Sequence, residues 1–261
     1  MSNPEAAFTS IIIPAFNEAE RLPSTLADLA RHLANQPHRY EVLLSDDGSS
    51  DDTVAVFERC TSKLNARVVR SPSNRGKGHA VRLGMLAAHG SIRVMMDADG
   101  SMPADELPLL LEPMRNGVAP VIIASRYLDG RGSVGQPAWR RAWSRLVHAV
   151  IKRTLVPDIH DTHCGYKAFT AVAADAIFTR AVLDGWSFDL EVLALAQHLG
   201  LRVLEVSVEW TDDRRSRVRP LHDLGRTLGE TLRIRSNFRR KIYRLDEAGA
   251  DIGLPQQHQQ E

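Results

Sequence analysis

Hydrophobic and polar positions along this chain fall into blocks that switch repeatedly between a strand-like and a helical rhythm. Ser10–Pro14 (SIIIP) is a β-branched run closed by proline and predicts a buried strand. Glu20–Leu33 sets Leu22, Leu26, Leu29, Ala30 and Leu33 at helical intervals. Tyr40–Ser45 predicts a second strand, stopped by the turn-rich Asp46–Ser50, and Asp52–Leu64 a helix with Val54, Phe57 and Leu64 on its apolar side. Ala66–Arg70 reads as a third strand and Gly78–Ala88 as a helix after a glycine-rich turn. Ile92–Met96 is a fourth strand, ending on Asp97-Ala98-Asp99, and Val121–Ser125 is another. Such alternation implies right-handed crossovers and an α/β fold with a mostly parallel central sheet flanked by helices. Ligands then bind outside the carboxyl ends of the strands. The polar motifs of this half of the chain each follow a strand end.

The second half is less regular. Asp129–Pro137 is a glycine-rich loop, Trp139–Leu155 a basic helical stretch, Phe188–Leu199 a helix and Leu201–Glu209 an alternating strand. Asp223–Arg244 predicts a long basic amphipathic helix, with Leu221, Leu224, Leu228, Leu232 and Arg235 recurring at three- or four-residue steps. The tail from Leu245 lacks periodicity and predicts a frayed end, and no internal repeat or linker is visible.

Composition narrows the class. The 261 residues fit one large domain, or one with an appendage, at roughly 150 residues per domain. Being 43% hydrophobic and 25% charged excludes a disordered or collagen-like chain. Apolar runs fall far short of the ~20 residues that span a bilayer. Met1–Phe8 lacks the basic and apolar regions of a signal peptide. The two cysteines, Cys60 and Cys164, are too few for a disulfide scaffold or zinc site and suggest reduced thiols in a cytosolic protein. The formal charge of +1 hides a gradient: Arg214–Arg244 carries a balance of +9, leaving −8 for the rest. One end of the chain therefore suits an anionic partner.

Asp97-Ala98-Asp99 puts two carboxylates on one side of a strand exit, because positions i and i+2 share a face. Without thiolates or a histidine cluster, the pair suits a hard divalent cation that also holds substrate phosphates; a solvated acidic turn reads the same way. In Asp46-Asp47-Gly48-Ser49-Ser50-Asp51-Asp52-Thr53, the later residues can serve as a helix cap. Asp46 and Asp47, at the strand exit, could instead accept hydrogen bonds from a nucleobase or ribose. Asn74-Arg75-Gly76-Lys77-Gly78 offers backbone N–H groups and two cations to a phosphate, or is a plain helix-initiating turn. It is neither a Walker A loop nor a G-x-G-x-x-G fingerprint. His79, His160 and His163 form no metal-binding set with the acidic pair and suit surface or hydrogen-bonding roles.

In their order, the segments PAFNE, DDGSSDDT, NRGKGHAVRLG, DADG, SRY, DTHCGYKAF and WSFDLEVL resemble family 2 glycosyltransferases of the GT-A fold. The resemblance covers about residues 8–220 and is greatest to dolichyl-phosphate glucosyltransferases, with the dolichyl-phosphate mannose synthases as cousins. It implies a catalytic domain over 8–220, followed by the basic helix (221–244) and the tail (245–261). By similarity, Pro14, Ala15, Glu18, Asp46, Asp47, Lys77, Asp97 and Ala98 would bind the nucleotide sugar. Asp97 and Asp99 would hold Mg²⁺ or Mn²⁺. Arg126 and Arg140 would clamp an acceptor phosphate and, with Asp99, carry the catalysis; Arg141 could fill the place of Arg140. Arg217 stands where relatives have lysine and would make bidentate phosphate binding possible. Asp161, Asp189 and Glu191 match family positions without a clear role.

The implied reaction is inverting transfer of a hexose, glucose from UDP-glucose, to a polyprenyl or dolichyl phosphate. Mannose from GDP-mannose, a soluble or polysaccharide acceptor, and a non-catalytic binding module are the alternatives. A phosphate acceptor needs no general base, because its second pKa of about 6 leaves it largely dianionic. The task is to hold two anions together, which suits a surplus of arginine. The +9 segment suits the headgroups of an anionic membrane, implying a peripheral, cytoplasmic-face location; nucleic acid lacks a supporting motif.

Overall fold

The computed structural model describes residues 8–34, 36, 38–126, 128, 155–157, 159–208 and 220–243, with side chains from 229 onward in the last stretch. The elements run β1 (Thr9–Ala15), α1 (Leu22–Leu33), β2 (Tyr40–Asp46), α2 (Thr53–Cys60), β3 (Ala66–Arg70), α3 (Lys77–Ala87) and β4 (Ile92–Met95). There follow a 3₁₀ turn (Ala104–Glu106), α4 (Leu107–Arg115), β5 (Val121–Ser125), β6 (Lys167–Thr170), α5 (Ala171–Phe178), α6 (Phe188–His198), β7 (Val203–Ser207) and α7 (Pro220–Arg239). The expected loop 129–137, the basic stretch 139–155 except its last residue, and the tail 245–261 lie outside the described residues, as do Arg140, Arg141 and Arg217.

Seven strands form one sheet in the order β3-β2-β1-β4-β6-β5-β7. All neighbours are parallel except β6, which runs against both β4 and β5. The mostly parallel sheet expected from the alternation is therefore present, with one reversed strand. Pairing of Ala15 with Asp46, and of Ile12 with Met95, aligns the carboxyl ends of β1, β2 and β4 along one edge.

The sheet is buried on both faces. Ile11 and Ile13 face α1, α2 and α4 with Val42, Leu44, Val94 and Ile122. Ile12 faces α3, α5 and α6 with Leu43, Val81, Met85 and Phe169. That is why β1 reads as an uninterrupted apolar run. Helix α6 is buried from Phe188 to Ala196, two carboxylates included.

Helix α2 stops at Cys60, short of the expected Leu64: Thr61 makes the last helical bond to the Phe57 carbonyl but leaves helical geometry at φ −106°, and Leu64 N–H closes a tighter turn onto the Thr61 carbonyl at 2.8 Å. In α7, Leu232 is 67% exposed, whereas Thr231, Ile234 and Asn237 turn inward. The packed stripe at this end of the helix is thus one position removed from the leucine spacing. Phe238 stacks on His198 at 3.8 Å. The buried Tyr243 hydroxyl donates to Glu191 Oε1 at 2.8 Å, closing the C-terminal end onto α6.

At the start of α3 the packing is tight enough to dictate a residue. A Cβ on Gly78 would lie 2.4 Å from the Leu183 carbonyl oxygen and 2.6 Å from Phe188 Cβ, whereas one on Gly229 meets nothing within 4 Å. Gly78→Ala should therefore lose about 1–3 kcal/mol in urea unfolding. Gly229→Ala, in the exposed interior of α7, should gain up to about 1 kcal/mol.

Candidate active site

The loops after β1 and β2 are knitted together. Asn17, in the left-handed region at φ 55°, accepts from Ser50 N–H at 2.9 Å, while Asn17 N–H donates to the Ser49 hydroxyl at 2.9 Å. Glu18 N–H donates to Thr53 Oγ1 at 2.8 Å, and Asp51 accepts from Thr53 N–H at 3.0 Å and Ala19 N–H at 3.2 Å. The later acids of the DDGSSDDT segment thus order the start of α2. Pro14 and Ala15 lie buried at the end of β1.

Asp46 and Asp47 have separate tasks in the fold. Asp46, wholly buried, accepts from Ser49 N–H and pairs with Arg70 Nε at 3.0 Å. Asp47, 2% exposed, accepts from Arg75 N–H at 2.9 Å and Gly76 N–H at 2.6 Å, and faces His79 Nδ1 at 3.0 Å. Its carboxylate gathers the glycine-rich loop that leads into α3. Sequence reading considered both acids as nucleotide contacts and missed this fastening role.

Lys77, the first residue of α3, places Nζ 2.8 Å from Asp97 Oδ1. Burial by itself would lower the Lys77 pKa, but the carboxylates of Asp97, Asp189 and Asp99 outweigh it and hold the ammonium above its ordinary value. Thr25 Oγ1 donates to the Ala98 carbonyl at 2.9 Å, and the Tyr166 hydroxyl to that of Met102 at 3.0 Å, which fixes the acidic loop. Asp99 Oδ1 accepts from Ser101 N–H at 3.0 Å. Gly165 lies so close that a Cβ there would meet Asp97 Oδ2 at 2.3 Å.

Arg126, after β5, is gripped by Asp161: Nε donates to Oδ2 at 2.7 Å and Nη2 to Oδ1 at 2.9 Å. The buried Asp161 is held below its ordinary pKa, since these bonds and the guanidinium charge outweigh the opposing desolvation. Glu205 on β7 accepts from the N–H groups of His160 and Asp161, both at 2.9 Å. The turn from Asp161 to Gly165 therefore joins Arg126 to the acidic pair. Beneath it Lys167, almost fully buried, pairs with Asp189 Oδ1 at 2.7 Å and donates to the Cys164 carbonyl at 2.6 Å. Sequence reading missed Lys167, although a lysine inside an apolar strand signals a buried partner.

The donor set of the acidic pair fits a divalent cation. Asp97 and Asp99 are two oxygen donors on one loop, and among the described residues no group of three His, Cys, Asp or Glu could hold a metal. A cation there would need oxygens from a bound diphosphate to complete its shell, which is the habit of magnesium-like ions.

The Glycosyl transferase family 2 model matches residues 10–178. The chain belongs to that family. This family 2 member is 37% identical over 228 residues to the dolichyl-phosphate beta-glucosyltransferase of Drosophila melanogaster, covering 81% of this chain and 69% of the relative. It is 31% identical over 251 residues to that of Dictyostelium discoideum, covering 91% and 77%. The human dolichyl-phosphate beta-glucosyltransferase is 29% identical over 252 residues, with coverage of 91% and 78%. Among solved structures, Mycobacterium tuberculosis glucosyl-3-phosphoglycerate synthase, crystallised with Mn²⁺, UDP-glucose and phosphoglyceric acid, superposes with a TM-score of 0.65 at 21% identity, covering 87% of this chain and 78% of the other. The family 2 chain thus has the GT-A fold and is a transferase.

The Arg126–Asp161 fork should be a measurable support of the fold. Asp161→Asn should cost about 1.5–3 kcal/mol at neutral pH, the range for hydrogen bonds to a charged group. Because the folded pKa is depressed, this stability is present above the unfolded value of about 3.9 and is lost as the pH falls through the folded one. Thermal unfolding of both proteins should show a gap that closes on acidification below about pH 4.

Proposed function

We propose that this chain transfers glucose from UDP-glucose to a polyprenyl or dolichyl phosphate, with inversion at the anomeric carbon. The observation that carries the reading is its likeness, over 81–91% of its length, to enzymes named dolichyl-phosphate beta-glucosyltransferase. The site supports it chemically. In this reading the aligned ends of β1 and β2, with Pro14, Ala15 and Glu18, would line the nucleoside side, and the buried Asp46 would serve it by holding Ser49 and Arg70 in place. Asp47 serves there through the Arg75–Gly76 backbone that it fastens.

Asp97 and Asp99 would hold Mg²⁺ or Mn²⁺, with Ala98 between them on the donor side. Such an ion supplies Lewis-acid neutralisation of the leaving diphosphate. Lys77 adds a fixed cation to the same side. Arg126 receives the acceptor phosphate on a guanidinium already oriented by Asp161, so the nucleophile and Asp161 share one fork. Arg140, or Arg141, and Arg217 complete the acceptor clamp in this reading. A phosphate dianion attacks without surrendering a proton, so the chain's work is to hold two anions in line.

The unaltered protein, given radiolabelled UDP-glucose, Mg²⁺ or Mn²⁺ and polyprenyl phosphate, should yield an organic-soluble, acid-labile product. Chelation with EDTA should abolish the yield, and Asp99→Asn should lower turnover about 100-fold. GDP-mannose and phosphoglyceric acid serve as competing donor and acceptor. Label that stays aqueous with every nucleotide sugar sinks the lipid-acceptor reading.

A lipid acceptor also requires a membrane-facing surface. No helix among the described residues is long and apolar enough to cross a membrane. The end of α7 presents exposed Leu232 and Ile242 beside exposed Arg239, Arg240 and Lys241, which suits peripheral contact with anionic headgroups. At about 1 kcal/mol per cation, Arg239→Glu/Arg240→Glu/Lys241→Glu should abolish flotation with phosphatidylserine vesicles. Neutral vesicles should float neither protein.

A further inference from the structure

An aromatic ring stands open beside Lys77 and the acidic pair. Trp186 is 62% exposed, while its neighbours Ser187 and Phe188 are buried. The turn closed by Phe188 N–H on the Gly185 carbonyl at 3.4 Å sends Phe188 into the core and leaves the indole outside. Indole is the largest aromatic surface available to a protein, and leaving it in water forfeits a large hydrophobic gain. A single exposed aromatic is ordinary on a surface. The position of this one is not. Lys77 Nζ lies 5.3 Å from the indole centroid and 6.0 Å from that of Phe188, and the same nitrogen is 2.8 Å from Asp97 Oδ1. One lysine ammonium therefore lies close both to the indole and to Asp97 of the acidic pair.

We infer that Trp186 is the stacking platform for the hexose of the nucleotide-sugar donor. The inference rests on the donor reading above and adds the group that recognises the sugar. A hexose attached to the diphosphate must lie next to it, and the C–H groups on a pyranose face are apolar and weakly electropositive. They match the electron-rich face of an indole. Lys77 holds the anionic part of the same donor, so one ligand would meet cation and ring together. The other open ring near the strand ends, Phe16 after β1, is 40% exposed and lies on the nucleoside side in this reading, whereas Trp186 is the ring that shares Lys77 with Asp97. Aromatic faces with a few convergent polar groups are the usual make-up of a small-molecule site.

Titration calorimetry on the full chain with Mn²⁺, using UDP and UDP-glucose, tests this directly. Trp186→Ala should weaken UDP-glucose about 5- to 10-fold, leave UDP within about 2-fold, and leave the thermal midpoint unchanged. Trp186→Phe should retain most of the UDP-glucose affinity. Indole emission should change on addition of UDP-glucose but not UDP, and the change should vanish in Trp186→Phe.

Equal weakening of both nucleotides would overturn the inference, since Trp186 would then act by placing Lys77. So would unchanged donor binding with a raised KM for polyprenyl phosphate alone, which would make the ring a lipid contact. If Trp186→Ala loses nothing while the unaltered chain binds UDP-glucose, only this inference fails. If the unaltered chain binds neither nucleotide, the donor reading falls with it.

Discussion

The carboxyl edge of this sheet depends on one ammonium held against crowded carboxylates. Asp97, Asp99 and Asp189 all act on Lys77, whose pKa they raise against the pull of burial. Carboxylates this close repel one another unless a cation stands among them. The position of Lys77 is in turn inherited. It opens α3, α3 begins where the glycine-rich loop ends, and that loop is fastened by Asp47 at the exit of β2. The exit of β2 thereby sets the charge balance at the exit of β4.

Helix α6 continues the same logic underneath. It is buried along most of its length yet carries two acids, and each has been given a partner in a different direction. Asp189 meets Lys167 from the reversed strand β6. Glu191 accepts from Leu183 N–H at 2.9 Å, in the segment leading to Trp186, and from the Tyr243 hydroxyl. Burial pushes the Glu191 carboxyl above its ordinary pKa, and these donors act against that shift. One side chain therefore connects the end of the C-terminal helix to the loop that carries the open indole. A surface proposed for lipid and a ring proposed for sugar share a common anchor.

Most of the parallel half of the sheet was legible because both of its faces are buried, so β1 and β2 have apolar centres (Ile11–Ile13 and Val42–Leu44) and β4 is broken only by Arg93, which pairs with Asp175. The segment Lys167–Thr170 was not legible as a strand. It is only four residues long, begins with a lysine and runs antiparallel between β4 and β5. Its place is settled by neighbours far away in the chain. The same holds for α4, whose leucines are interrupted by Pro108 and Pro113. Among the site residues, the acidic pair and Lys77 could be picked out by type and spacing. That Lys77 touches Asp97, that Asp161 grips Arg126 and that Asp47 serves the neighbouring loop could not. These are contacts between segments tens of residues apart.

The rhythm of strands and helices, the polar motifs at strand ends, the family, and a basic segment against an otherwise acidic chain can all be read from the order of residues. Those properties live in local pattern and in residue type, which survive being read one position at a time. Only the folded chain shows that Asp47 holds a loop while Asp97 meets Lys77, which side of α7 is packed, and that Trp186 stands open beside Lys77. Each of these is a choice between burial and exposure for a single side chain. Such a choice is made by whatever the fold brings opposite it.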